Sequence, residues 1–140
     1  MRFWDASALV PIGVAESHTP AMRTLTESDP GIIVWWGSVV ECTAALARRR
    51  REGGLDDAGD ARAGRVLAGL FTAAAEVPPS QGVREIALRL VRVHAVCAAD
   101  ALQLAAALVW ADRSPAGREF VTLDDRLRQA AGREGFTVLP

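Results

Sequence analysis

The chain has 140 residues, half of them apolar and 24% charged, with a formal net charge of −1. That length carries a hydrophobic core without disulfides or structural metal, the apolar content excludes a disordered chain, and the charge balance excludes a uniformly basic nucleic-acid binder, leaving any such binding to a local patch. All 16 basic residues are arginine, which excludes chemistry that needs a side-chain amine, such as a phosphate-loop lysine or a Schiff-base nucleophile.

Residues 2–4 read as a short buried strand and residues 6–14 as a short helix disturbed by Pro11 and Gly13. Thr19-Pro20 starts a helix with proline at its first position, and Asp29-Pro30-Gly31 stops it near Ser28. Ile32 to Trp36 is a continuous apolar run, as expected of a strand covered on both faces. Ser38 to Arg51 gives the clearest helix. Ser38-Val39-Val40-Glu41 fits a capping box, Arg48 to Arg51 load the last turn, where cations suit the helix dipole, and Gly53-Gly54 ends it. Residues 56–75 predict a further helix and Glu76-Val77 a short strand before Pro78-Pro79. Gln81 to Val93 follows as a helix with Val83, Ile86, Ala87 and Leu90 on one stripe. Ala98 to Trp110 is nearly all apolar and reads as a central buried helix. After the loop at Ser114 to Gly117, Glu119 to Leu123 predicts a strand, 124–133 a helix ended by Gly135, and Phe136 to Leu139 a last strand. Strands alternating with helices imply an α/β fold whose parallel sheet is covered on both faces. No repeat or long linker divides the chain, so one domain over residues 1–140 is expected. Charges interrupt every apolar run before eighteen residues, so no membrane span is expected. Arg2-Phe3-Trp4-Asp5 follows no apolar leader, so a cytoplasmic location is expected.

Four acids stand where an apolar strand-like run gives way to a helix-like run: Asp5, Glu41, Asp100 and Asp124. In a parallel sheet all strand-to-helix turns open on the carboxyl edge, where ligands bind. Carboxylates meeting there repel one another unless a cation lies between them, and a hard divalent metal suits an all-oxygen set. Each acid also has a reading as a helix cap, worth about 1 kcal/mol. Asp5 and Asp100 lie in almost wholly apolar contexts, where an unpartnered carboxylate is rare. Ser7 and Thr122 place hydroxyls at the same turns. Cys42 and Cys97 form no metal-ligand spacing with His18 and His94 and read as two buried, reduced thiols. His94 reads as a loop or core histidine. The arginine run at Arg48 to Arg51 could bind RNA backbone but reads rather as a solvated helix end, because a fourteen-residue helix is ~20 Å long and carries its far end away from Glu41. Trp35, Trp36 and Trp110 read as core or subunit surface, with Trp36 the one placed for partner contact.

Phe3-Trp4-Asp5-Ala6-Ser7-Ala8-Leu9 resembles the first motif of the PIN-domain ribonucleases. Val40-Glu41 with Ala44-Ala45-Leu46 resembles the second, Ala99-Asp100-Ala101-Leu102-Gln103-Leu104 the third, and Phe120-Val121-Thr122-Leu123-Asp124-Asp125-Arg126-Leu127 the fourth. The resemblance spans the chain and is strongest to the VapC-like toxins of bacterial toxin–antitoxin pairs. It implies a three-layer α/β/α sandwich with four or five parallel strands. It further implies a Mg²⁺- or Mn²⁺-dependent endoribonuclease whose metal is held by Asp5, Glu41, Asp100 and Asp124 with Ser7 assisting, directly or through water. RNA as substrate, a VapB-like antitoxin as partner, a homodimer and a bacterial cytoplasmic setting follow from the same resemblance. The fourth acid is Asp124 or Asp125, and the family's Thr-x-acid pattern favours Asp124. A signalling receiver domain or a haloacid-dehalogenase-type phosphatase would need a lysine that this chain lacks. A catalytically silent PIN-fold binding module is the alternative.

Overall fold

The computed structural model describes residues 1–140. In chain order the elements are β1 (Arg2–Trp4), α1 (Ala6–Gly13), α2 (Thr19–Ser28), β2 (Ile32–Trp35), α3 (Ser38–Arg51), α4 (Asp57–Ala73), β3 (Ala75–Val77), α5 (Gln81–Val93), α6 (Ala98–Trp110), β4 (Glu119–Val121), α7 (Asp125–Glu134) and β5 (Thr137–Leu139). The five strands form one sheet in the order β3-β2-β1-β4-β5, and every pairing is parallel. The expected alternation of strands and helices is therefore present, with β3 one residue longer than the sequence suggests and β4 two residues shorter.

Successive strand residues point to opposite faces, and the two cores follow that rule. Phe3, Ile33, Trp35, Val77 and Phe120 pack into one core with α5, α6 and α7. Trp4, Val34 and Val121 pack into the other with α1, α2, α3 and α4. Three layers result, helices on each side of the sheet. Phe3 and Trp4 are both fully buried, which explains why the central strand shows no polar alternation. At its start the Arg2 guanidinium donates to Glu119 Oε2 (2.6 Å) and to the Leu25 carbonyl (2.7 Å), so one side chain ties β1 to β4 and to the end of α2.

Helix α6 is alanine-rich because it lies against both the sheet and α5, and Ala101, Leu104, Ala105, Ala106 and Ala107 are all fully buried. Gly135 ends α7 at φ 106°, a left-handed conformation that favours glycine. No helix is long and apolar enough to cross a membrane.

The chain leaves β1 for β2 on one side and returns through β4 on the other. Strand direction of travel reverses across β1, so the crevice outside the carboxyl ends of β1 and β4 is the topological switch point. Phe120 of β4 stacks on Phe3 of β1 with ring centroids 5.3 Å apart and lies 5.6 Å from Phe136. Replacing Phe120 by alanine leaves a cavity under the switch point. Phe120→Ala is expected to lower stability by about 3–5 kcal/mol, read as a lower urea midpoint with an unchanged slope.

Candidate functional site

Backbone pairing of β1 with β4 runs one residue past the strand, with the Asp5 N–H donating to the Val121 carbonyl (3.0 Å). The chain then turns into α1, and Asp5 becomes its N-cap. Asp5 Oδ2 accepts from the Ser7 N–H (3.2 Å), from the Ser7 hydroxyl and from Thr122 Oγ1 (3.0 Å). Ser7 Oγ in turn accepts from the Leu123 N–H (2.9 Å), and Thr122 Oγ1 from the Asp124 N–H (3.1 Å). The turns after β1 and β4 are thus interlocked across the crevice through one carboxylate and two hydroxyls. Asp5 is only 4% exposed. Burial raises its pKa, the Ser7 and Thr122 hydrogen bonds oppose that rise, and the charge of Asp100 adds to it.

Glu41 lies in the first turn of α3, whose N-cap is Gly37 and has no side-chain cap. The capping box expected from Ser38 to Glu41 does not form. Ser38 is already helical, and its hydroxyl is drawn to Gln103, a fully buried side chain of α6. Gln103 Nε2 donates to Ser38 Oγ (3.1 Å) and to Glu41 Oε1 (3.0 Å). Glu41 is therefore placed by a contact between helices, and its second carboxylate oxygen makes no hydrogen bond within the protein. Burial, then the charge of Asp5, pushes Glu41 up to about 7, with Gln103 opposing and Asp100 adding to the rise. Neighbouring Cys42 is buried and its thiol is pushed up to about 12. Cys97, expected to be buried, is exposed, because it begins α6 from the surface.

Asp100 does not begin α6. Cys97 is the N-cap, and Asp100, one turn on, accepts from the Cys97 N–H over 3.4 Å. Asp124 is the N-cap of α7, accepting from the Leu127 N–H (2.8 Å). Asp124, Asp5, Glu41, Asp100 and Ser7 all line one cavity of about 620 Å³. Asp125 is exposed and is not part of its wall. The same wall includes Arg48, Arg49 and Arg51, which the sequence reading placed out of reach. Arg48 is only two turns from Glu41, about 10 Å along the axis, and helical side chains tilt toward the N-terminus.

His94 Nε2–H donates to Glu134 Oε1 (2.7 Å), which Arg89 also binds, so it belongs to a structural network outside the cavity. Trp35 is core, whereas Trp36 is half exposed beside Val39 and Val40. Gln103 is the residue the sequence reading passed over as a functional element. Its signal was a lone amide in an otherwise apolar helix.

No protein-family model matches the sequence, and no curated protein matches it. Solved structures do. VapC20 of Mycobacterium tuberculosis, described as a sarcin–ricin loop cleaving toxin, superposes with a TM-score of 0.70 at 17% identity, over 98% of this chain and 97% of that one. FitAcB of Neisseria gonorrhoeae gives 0.69 at 15% identity over 100% and 97%. PAE2754 of Pyrobaculum aerophilum gives 0.64 at 21% identity over 96% and 81%.

The fold is PIN-like, of the VapC type.

Within this PIN-like fold the donor set is chemically suited to a hard cation. The acids of the cavity offer only oxygen; the charge of Asp100 raises the proton affinity of Asp5 and Glu41, and that of Asp5 raises Glu41 further. As the side chains stand, however, no three of them are grouped to hold an ion. A proton on Glu41 relieves its crowding by Asp5 and Asp100. Glu41 ordinarily ionises near 4.5 and here near 7, so across that window the native state holds a proton the unfolded chain has lost. Stability therefore falls as pH rises through the window. Glu41→Gln is expected to shrink the fall in urea midpoint between pH ~5 and ~7.5 in EDTA. An equal fall in both proteins excludes Glu41 as the titrating group.

Proposed function

We propose that the chain is a Mg²⁺- or Mn²⁺-dependent endoribonuclease toxin, silenced by an antitoxin partner. The observation that carries this reading is the convergence of Asp5, Glu41, Asp100 and Asp124 on one cavity at the switch point of a PIN-like sheet. The likeness to VapC20, a toxin that cleaves the sarcin–ricin loop, supports a nuclease of the same kind.

In this reading Asp5, Glu41, Asp100 and Asp124 hold the cation, directly or through water. A bound divalent cation lowers the pKa of a water molecule and neutralises charge on the phosphoryl oxygens. The protein's own part is positional. Ser7 and Thr122 fix one oxygen of Asp5, and Gln103 fixes one oxygen of Glu41, leaving the other free to take a ligand or a proton. Glu41 releases its proton when a positive charge offsets the repulsion from Asp5 and Asp100, so metal affinity rises with pH. Asp100, partly buried at the cavity wall and held only by a long bond, can reorient at little cost.

A protein partner belongs to the same reading. Trp36, Val39 and Val40 stand 51%, 43% and 63% exposed at the start of α3, an apolar surface suited to an antitoxin or a second copy. A silent PIN-fold binding module is the competing reading, favoured by the ungrouped carboxylates.

Asp100→Asn is expected to abolish Mg²⁺-dependent cleavage of total RNA while leaving the circular dichroism spectrum and melting temperature near those of the parent. Undiminished cleavage sinks the assignment. Mg²⁺ at ~100 times its dissociation constant is expected to stabilise the parent by about 2.7 kcal/mol, and Asp5→Asn to remove that shift. If Asp5 is a cap and nothing more, calorimetry will show no response to Mg²⁺ in either protein.

A further inference from the structure

We infer that α3 is a rail for the nucleic-acid backbone, on which Arg48, Arg49 and Arg51 take the phosphates next to the one that is cut. This rests on the nuclease reading and deepens it.

Glu41, Ala44, Ala45, Arg48 and Arg49 all line the cavity. Their spacing of three and four residues puts them on one helix face. The face therefore begins with an acid, passes two small residues, and ends in guanidiniums about 10 Å from the start. Ala44 and Ala45 leave the floor low enough for a strand to lie on it.

The arginines differ in how they are engaged. Arg50, off the stripe, pairs with Asp57 and Asp60 across to α4. The Arg48 and Arg51 side chains form no ion pair or hydrogen bond with the protein. Arg49 donates Nη2 to Glu16 (2.8 Å), while its Nη1 is buried without any partner. A buried donor left unsatisfied is costly, so the Arg49 guanidinium gains by turning outward to a phosphate in the cavity. Planar guanidiniums match phosphate oxygens in pairs, and a strand brought to four carboxylates needs compensating positive charge.

No aromatic side chain lines the cavity. Base stacking, the usual second component of single-strand binding, is absent from this wall. The rail therefore grips phosphates and is indifferent to the bases above them.

The test is binding of fluorescent single-stranded oligo(U) and oligo(A) RNA of ~12 nucleotides, in EDTA so that cleavage is off, across a series of salt concentrations. Losing three phosphate contacts is expected to lower the slope of log affinity against log salt by about 2 in Arg48→Gln/Arg49→Gln/Arg51→Gln, equally for both RNAs. Arg48→Gln/Arg51→Gln spares the Glu16 pair, protects against a folding artefact, and is expected to lower it by about 1.4. The charge-matched Arg23→Gln/Arg65→Gln/Arg92→Gln, outside the cavity, is expected to keep the parental slope. Parental slopes in both rail variants overturn the inference, as does a parent without salt-dependent binding. A loss confined to one RNA overturns the indifference to bases. Each of these results leaves the nuclease reading standing if Mg²⁺-dependent cleavage by the parent persists, whereas a parent that neither binds nor cleaves overturns both.

Discussion

Asp5 is a carboxylate that the fold has to bury, because it follows immediately on a strand covered by helices on both faces. Burial of that kind demands donors, and the only ones within reach come from the next turn of its own helix and from the turn after β4. The Ser7 and Thr122 hydroxyls supply them, and the backbone of Leu123 and Asp124 closes on the same hydroxyls. Satisfying one charge thereby fixes the relative position of β1, α1 and the start of α7. The remaining acids are then placed relative to Asp5, and its charge is felt at Glu41 and Cys42.

A second dependence runs through α6. The helix is pressed between the sheet and α5 by its alanines and leucines, yet its one buried amide reaches out to Ser38 and Glu41. Gln103 makes the position of Glu41 a property of the core. A change in α6 packing that moved Gln103 by an ångström would strand the Ser38 hydroxyl and free the Glu41 side chain. Stability and site geometry are in that sense held by the same contact.

The layers, the parallel sheet and the cavity acids were legible because they rest on local signals: apolar runs of strand length, helix stops such as Gly53 and Gly135, and acids at turn positions. What was not legible depended on partners distant in sequence. Ser38 looks like a cap until Gln103, 65 residues away, is seen to claim its hydroxyl. Once Ser38 is inside the helix, Glu41 loses its capping explanation, while Asp124 keeps its own as the true N-cap of α7. Cys97 looks buried from its apolar neighbours, but a helix start at the surface exposes it. Helix length alone does not set how far the arginine run lies from the acids. Two turns and a long side chain bring Arg48 back to the acids, which only the packed structure reveals.

The absence of lysine has a consequence for this cavity. Its basic wall is made of guanidiniums, which hold their charge at any pH the fold survives, while its acidic wall includes a carboxyl that ionises near neutrality. Four carboxylates facing three guanidiniums leave a single negative charge when all are ionised, and one proton cancels it. The cleft is amphoteric and tunable from one side alone: its anionic character is adjustable, its cationic character is permanent.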